Sequence, residues 1–458
     1  MNLYERELRR EQARQKRIAL LRKRIILSCI LCAVLLILAG IILFLLNNNS
    51  KEKALLQQYY ESFLEKQGLS TPDQNNDSFA DWFYDQYPKK VTDKLNTLLE
   101  NGSPANLDIY NVVGESMFVL SDRYQGLIST SNHIYEQSGK TAGEAEITVA
   151  GDLCFAEDGF VLDHYDTVND LEKCISPELL DIMNESDLFY LNHEYCISDR
   201  GTPLSGKLYT FRADPKRMEL LKQMGTDLVA LANNHVYDYG EEALLDTCDI
   251  LEDSGIPYVG GGRNLDEAEQ AIYFIVNGIK IGFVAASNAE LTLYTPQAEE
   301  NSPGILSAYD TAAYNKVIQD ASKECDYLIA YIHWGTEDYN YMNQQQMEQG
   351  REFLNSGADI VVGGHPHVLQ GIEYVDDHPI VYSLGDFWFN SETKYTGVLK
   401  LNIGIEGLKE MAFVPCLQTN YTTQYLDTAE EQEELYTFLE DLSINIKIDS
   451  NGVITETK

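Results

Sequence analysis

The apolar positions of this chain fall into three regimes. Residues 25–46 are 22 consecutive positions without a charge. At a rise of about 1.5 Å per residue, a helix of that length crosses a hydrocarbon core of roughly 30 Å. Between 51 and 140 the apolar residues return at helical spacing, as in Leu55, Leu56, Tyr59, Tyr60 and Phe63. Further helices are predicted over 92–99 and 112–128, and the polar, glycine-containing stretch 138–143 reads as a linker.

From Glu146 the period changes. Short β-rich runs occur at 147–151 (ITVAG), 188–192 (LFYLN), 228–233 (LVALAN), 280–287 (KIGFVAAS), 327–333 (YLIAYIH), 359–364 (DIVVGG) and 380–386 (IVYSLGD). Helical patterns at 215–224, 241–254 and 311–323 separate them. Continuous apolar strands alternating with helices predict sheets buried on both faces, hence an α/β domain. A further strand is predicted at 398–405, an acidic helix at 428–442 and a turn at 451–453.

Charge sharpens the first regime. Nine Lys/Arg against three Glu in residues 1–24 leave +6 there and −44 on the remainder of a chain of net charge −38. Arg22, Lys23 and Arg24 abut the apolar run on one side, and Asn47, Asn48 and Asn49 follow it on the other. The basic flank predicts a cytoplasmic N-terminus and an extracytoplasmic main domain. The run exceeds the apolar core of a cleaved signal peptide and no small-residue cleavage site follows, so an uncleaved signal anchor is expected. The acidic remainder excludes nucleic acid as a partner, since that requires Lys/Arg to displace counterions. It fits a solubilising surface first, and otherwise one that attracts divalent cations or repels anionic polymers.

Cys29 and Cys32 lie in the apolar run; the other six cysteines are dispersed. Outside that run no CxxC pair occurs, which argues against a zinc ribbon. An oxidising compartment permits one or two disulfides, and buried free thiols fit the spacing as well.

Candidate chemistry gathers where predicted strands stop, the place at which α/β folds put ligands and catalytic groups. ITVAGD ends in Asp152, a carboxylate suited to a hard metal. LFYLNHE ends in Asn192, His193 and Glu194; Asn192 and Glu194 share a parity and His193 points the other way. LVALANNHVYDYG brings Asn233, Asn234, His235 and Asp238. The Asn oxygen there can coordinate a metal and the His can donate a proton, or the stretch can simply cap the next helix. His333 ends YLIAYIH, and His365 and His367 flank Pro366 after a glycine pair, where two imidazoles two residues apart reach neighbouring cations. Asp386 orients a ligand histidine or caps a turn. Five of the eight histidines sit in these segments, a concentration that chance placement does not explain. The mixed imidazole and oxygen donors fit two divalent ions of manganese, zinc or iron.

The ordered set AGD, NxE, ANNHxxDYG, HWG, GGHPHV and SLGDF resembles the bacterial capsule synthesis protein family typified by CapA and PgsA, over roughly residues 146–390 with continuation to about 420. The resemblance implies a calcineurin-like metallophosphatase fold, a four-layer α/β sandwich. It implies Asp152, Glu194, Asn234, His333, His365 and His367 as metal ligands, with Glu194 bridging. His235 would be the acid beside the leaving group, helped by Asp238, with Asn192, Asn233 and Asp386 behind them. One departure stands out: such phosphatases begin Asp-x-His, whereas this chain has Asp152-Leu153-Cys154. That puts phosphatase activity in question.

The organisation expected is a basic cytoplasmic tail (1–24), a membrane anchor (25–46), a helical stalk or cap (47–143), the metal-binding domain (144–420) and an acidic C-terminal helix and tail (421–458). The function expected is assembly, export or processing of an anionic surface polymer such as poly-γ-glutamate, at the cell membrane and beside polymer ligase and export proteins. The alternatives are an extracytoplasmic phosphoesterase and a non-catalytic scaffold.

Overall fold

The computed structural model describes residues 133–457, except 142, 158–160 and 291–292. The chain divides into two units, Met1–Arg123 and Tyr124–Lys458, and all described residues belong to the second. The expected tail and anchor, and nearly all of the expected stalk, lie outside the described residues. Among the described residues no helix is long and apolar enough to cross a membrane.

Two mixed sheets carry the fold. In spatial order the first contains Ile134–Gln137, Ile272–Val276, Ile279–Ser287, Tyr327–His333, Ile360–Gly364, His378–Val381 and Ile372–Val375. The second runs Thr422–Tyr425, Gly407–Thr419, Lys394–Gly404, Glu144–Leu153, Leu188–His193, Leu228–Ala230 and Tyr258–Val259, with Asp386–Trp388 paired beside Glu144–Leu153. The central strands are parallel: 144–153 with 188–193 and 228–230, and 279–287 with 327–333 and 360–364.

Side-chain parity explains why these strands read as unbroken apolar runs. Ile147, Val149, Leu188, Tyr190, Leu228 and Ala230 of one sheet share a core with Ile281, Phe283, Ile329, Tyr331, Ile360 and Val362 of the other. The residues between them point outward. Leu153, Phe189, Leu191 and Val229 pack with Leu179, Met183, Leu244 and Leu251 of helices Pro177–Glu185 and Glu241–Ser254. Val284, Leu328, Ala330 and Val361 pack with Tyr314, Ile318 and Phe353 of helices Thr311–Ala321 and Gln344–Asn355. Both faces of each sheet are therefore covered, giving the sequence helices, sheet, sheet, helices.

Three expectations change. Ile134–Gln137 is a strand pairing in parallel with Ile272–Val276, so the unit begins inside the expected stalk, and the expected linker joins two of its own strands. The run 380–386 is two elements: His378–Val381 lies in the first sheet and Asp386–Trp388 in the second, with Gly385 at φ +69° turning the chain between them. The segment after 420 is not an appended tail. Thr422–Tyr425 extends the second sheet, and Leu435, Tyr436 and Leu439 of helix Ala429–Leu442 pack on the inter-sheet core with Ile446, Ile448 and Ile454. Their apolar face was legible only as an acidic helix because the charges on its outer side dominate the composition. The six cysteines after the apolar run are all buried.

Candidate metal centre

The parallel strands of both sheets deliver their C-terminal ends to one place. Asp152, Glu194, His333 and Asp386 are fully buried there. Gly385 turns the chain so that Asp386 pairs opposite Asp152 and the Asp152 amide donates to the Gly385 carbonyl at 2.9 Å. Gly364 must be glycine: a Cβ there would meet the Tyr331 hydroxyl at 2.1 Å and Asp152 Oδ1 at 2.5 Å. His365 and His367 follow at φ +96° and +57°. Left-handed backbone at two non-glycine residues costs about 1–3 kcal/mol each, and such strain gathers at functional sites.

Hydrogen bonds fix the carboxylates. Asn192 Nδ2 donates to Asp152 Oδ1 at 2.7 Å and to Glu194 Oε2 at 3.1 Å, and the His365 amide donates to Asp152 Oδ2 at 3.0 Å. Asn233 Nδ2 in turn donates to Asn192 Oδ1 at 3.0 Å, and Asn233 Oδ1 accepts from the His235 amide. Asn233 thus holds the bend of the loop and Asn192 holds the two carboxylates.

Around them stand the imidazoles. His333 Nε2 lies 2.8 Å from Asn234 Oδ1 and 3.5 Å from Glu194 Oε1. His367 Nε2 lies 3.7 Å from Glu194 Oε1, and its Nδ1 is 2.8 Å from Asp386 Oδ1. The His333 and His365 rings are 4.8 Å apart. Three groups offer ligand atoms within 4.8 Å of one another: Glu194, His333 and His365; Asp152, His367 and Asp386; Glu337, His365 and His367. Two atoms of the first group, Glu194 Oε1 and His365 Nδ1, are buried without a hydrogen-bond partner. Buried polar atoms are seldom left so, and a carboxylate oxygen facing imidazole nitrogens is a donor set that divalent cations accept. The residues present fit a metal.

The electrostatics agree. Burial pushes Glu194 and Asp152 up from the usual carboxylate range, and in Glu194 the charge of Asp152 adds to it. Burial, then the neighbouring histidines, hold His333 and His365 well below the usual imidazole value. His367 goes the other way: burial opposes its charge, but Asp386, Glu194 and Asp152 outweigh it and raise it to about 10. Opposed shifts of this kind arise where buried ionisable groups face one another, as functional sites arrange.

Beside the cluster, His235 Nδ1 is 2.6 Å from Asp238 Oδ2, and its ring lies 4.2 Å from that of Phe211. Burial lowers His235 to about 4 against the pull of Asp238, so the ring is neutral near pH 7 and must take up a proton before it can give one. Of the five strand-end histidines, His193 alone turns away, as its parity predicts. Its ring stacks on Tyr195 at 3.7 Å, and burial lowers it to about 3. Cys154 packs with Phe155 and Leu153 in the outer core; burial, then the charge of Glu194, pushes its thiol well up. It belongs to none of the three ligand groups.

Several neighbours carry no signal in the sequence. Tyr331 OH donates to Asp152 Oδ1 at 3.3 Å from within an apolar strand. Lys207, on an irregular loop, sits 2.6 Å from Asp238 Oδ1 and 2.7 Å from Glu290 Oε2, and donates to the Asn234 carbonyl. Glu337 is different: an acid four residues past His333 is a signal that strand-end reasoning could have taken up.

Residues 146–391, more than half of the chain, match the model of the family described as bacterial capsule synthesis protein PGA_cap. The chain belongs to this family. The PGA biosynthesis protein CapA of Bacillus subtilis (strain 168) is 36% identical over 183 residues, 39% of this chain and 47% of that protein. The capsule biosynthesis protein CapA of Bacillus anthracis is 30% identical over 227 residues, 48% of this chain and 53% of that one. The chain thus spans about half the length of the curated relatives it matches. Among solved structures, TT1561 of Thermus thermophilus covers 57% of this chain and 99% of its own at 11% identity, with a TM-score of 0.32, a likeness too slight to bear on the fold.

Proposed function

We propose that this PGA_cap family member acts in the synthesis of a poly-γ-glutamate-type surface polymer, through a metal-dependent, hydrolase-like site on an extracytoplasmic domain anchored by residues 25–46. The observation that carries the reading is the strand-end cluster, with Glu194 Oε1 and His365 Nδ1 buried and unpartnered amid converging ligand atoms. The names of the two CapA relatives support the biological setting. The uncharged segment 25–46 and its basic flank support the location. The four-layer arrangement supports the calcineurin-like assignment.

Glu194, Asn234, His333 and His365 would hold one divalent ion, and Asp152, Glu194 and His367 another. Such ions supply Lewis acidity toward a scissile ester or amide. The chain's own residues do the rest. Asn192 keeps both carboxylates turned inward, and Asp386 fixes the His367 ring through Nδ1. Asp238 holds His235 through Nδ1, which leaves Nε2 to move a proton.

A phosphoesterase acting on nucleotides or wall polymers is the second reading, favoured by the His235–Asp238 pair. The seating of Cys154 in the apolar core counts against it. Assaying γ-glutamyl polymers and phosphodiesters with the full-length chain, with manganese or zinc added, separates the two. Metal-dependent cleavage or transfer of the γ-glutamyl polymer is expected; turnover of phosphodiesters alone would overturn the reading. Full capsule function in a strain whose chromosomal copy carries the His365→Ala, His367→Ala pair would leave only a scaffold role.

A further inference from the structure

The third ligand group contains a residue that neither the motif reading nor the family match assigns. Glu337 is exposed, yet one of its carboxylate oxygens lies within 4.8 Å of ligand nitrogens of both His365 and His367. Its position is built. The Asp338 amide donates to the Pro366 carbonyl at 2.8 Å, which ties the turn to the loop carrying both histidines. Gly335 on one side has φ +94° and a Cβ there would meet Gln346 at 2.7 Å; Asp338 on the other has φ +58°. Asn340 Nδ2 and Gln370 Nε2 hold the rest of the turn through the Leu369 and Tyr339 carbonyls, at 2.9 and 2.8 Å. The site also has something to complete, since His365, one of the two histidines near Glu337, has a buried Nδ1 with no hydrogen-bond partner.

The inner donors are unevenly shared. Glu194, His333, His365 and Asn234 can enclose one ion. The other has Asp152, Glu194 and His367, with Asp386 occupied by the His367 ring and by Asn390 Nδ2 at 3.2 Å. Cys154, where a phosphatase would carry a histidine, is buried in the apolar core. Those three donors are one short of a four-ligand set, which an oxygen donor at the rim can supply.

We propose that Glu337 is a metal ligand, the exposed carboxylate that closes the outer cation position beside His367. This rests on the metal-centre reading above. Placing an exposed carboxylate there makes the outer position the exchangeable one: the inner ion is enclosed by buried donors, whereas the outer ion enters and leaves past Glu337.

The test is calorimetric titration of the full-length, metal-free chain with manganese and with zinc, for the wild type, Glu337→Gln, Glu337→Asp and Asp338→Asn. Asp338 is the control, an adjacent exposed acid whose left-handed backbone Asn tolerates. The wild type is expected to bind two ions. Glu337→Gln should keep one at unchanged affinity and bind the other at least 10-fold more weakly, Glu337→Asp should fall between, and Asp338→Asn should match the wild type. Two tight ions in Glu337→Gln would overturn the assignment and leave the metal centre standing. Equal weakening by Glu337→Gln and Asp338→Asn would overturn it in favour of diffuse charge. No binding by the wild type would overturn the metal centre and this assignment together.

Discussion

The two ends of the parallel strands use the same residue types for opposite purposes. At the starting end, Asp187, Asp227, Asp326 and Asp359 each precede a strand by one residue. Each donates its amide to the carbonyl of a residue on the neighbouring strand, respectively Glu146, Phe189, Lys280 and Leu328, at 2.7–3.0 Å. Each then accepts the amide of that same residue on its carboxylate, at 2.8–2.9 Å. The side chain continues the ladder one step beyond the strand and satisfies an N–H that would otherwise end unpaired. At the finishing end, Asp152, Glu194 and Asp386 face the histidines, and Glu194 Oε1 has no hydrogen-bond partner. Acids at the starting end complete the sheet. At the finishing end Asn192 holds Asp152 and Glu194 together although burial and mutual repulsion oppose it, as at functional sites.

The sharpest way to break this contrast is to remove histidines from the finishing end. His365→Ala with His367→Ala should lower divalent-metal affinity more than 1,000-fold, about 4 kcal/mol, while the metal-free chain melts near the wild-type temperature. Differential scanning fluorimetry with and without manganese checks both halves; retained metal-dependent stabilisation would remove the ligand assignment.

At the starting end the effects should appear in stability and pH dependence. Burial raises Asp227 to about 6, against the hydrogen bond from Phe189. The folded state then holds the proton more tightly than the unfolded state. Stability contributed by this group is therefore full below about pH 4 and is lost as the pH rises toward 6, by up to about 3 kcal/mol. Asp227→Asn should remove that decline, which urea unfolding at pH 4, 5, 6 and 7 would reveal as a flatter profile. Asp187→Ala comes next: it strands the Glu146 amide and should cost about 1–3 kcal/mol in urea unfolding, without touching metal affinity. The smallest effect returns to the finishing end. Glu194→Gln relieves a buried, charge-crowded carboxylate and should stabilise the metal-free chain by about 1 kcal/mol while weakening metal binding. A variant that loses stability instead would place Glu194 with the structural acids.

The contrast also explains what the sequence could reveal. Strand ends were legible because polar residues break abruptly from apolar runs: Asp152, Asn192, Glu194, Asn234, His333, His365 and His367 stand within one cluster, with His235 beside it. The parity rule separated His193 from Asn192 and Glu194. The strands 327–333 and 188–193 were legible because both of their faces meet apolar cores. Other elements were not. Gly407–Thr419 opens on four half-buried or exposed positions before its buried run, which contains Pro415, so no period dominates. Gln344–Asn355 buries Gln346 and Gln349 along with Phe353, which hides its apolar face. Glu337 and Lys207 reach the site from loops, where spacing has no fixed meaning.

The central claim is that the finishing-end cluster is a two-cation site. Equilibrium dialysis of the full-length chain against manganese or zinc, followed by elemental analysis per mole of protein, tests it most directly. The account predicts two ions per chain, falling to none in the His365→Ala, His367→Ala variant. A wild-type chain that retains no metal, or a double variant that retains as much, would contradict it.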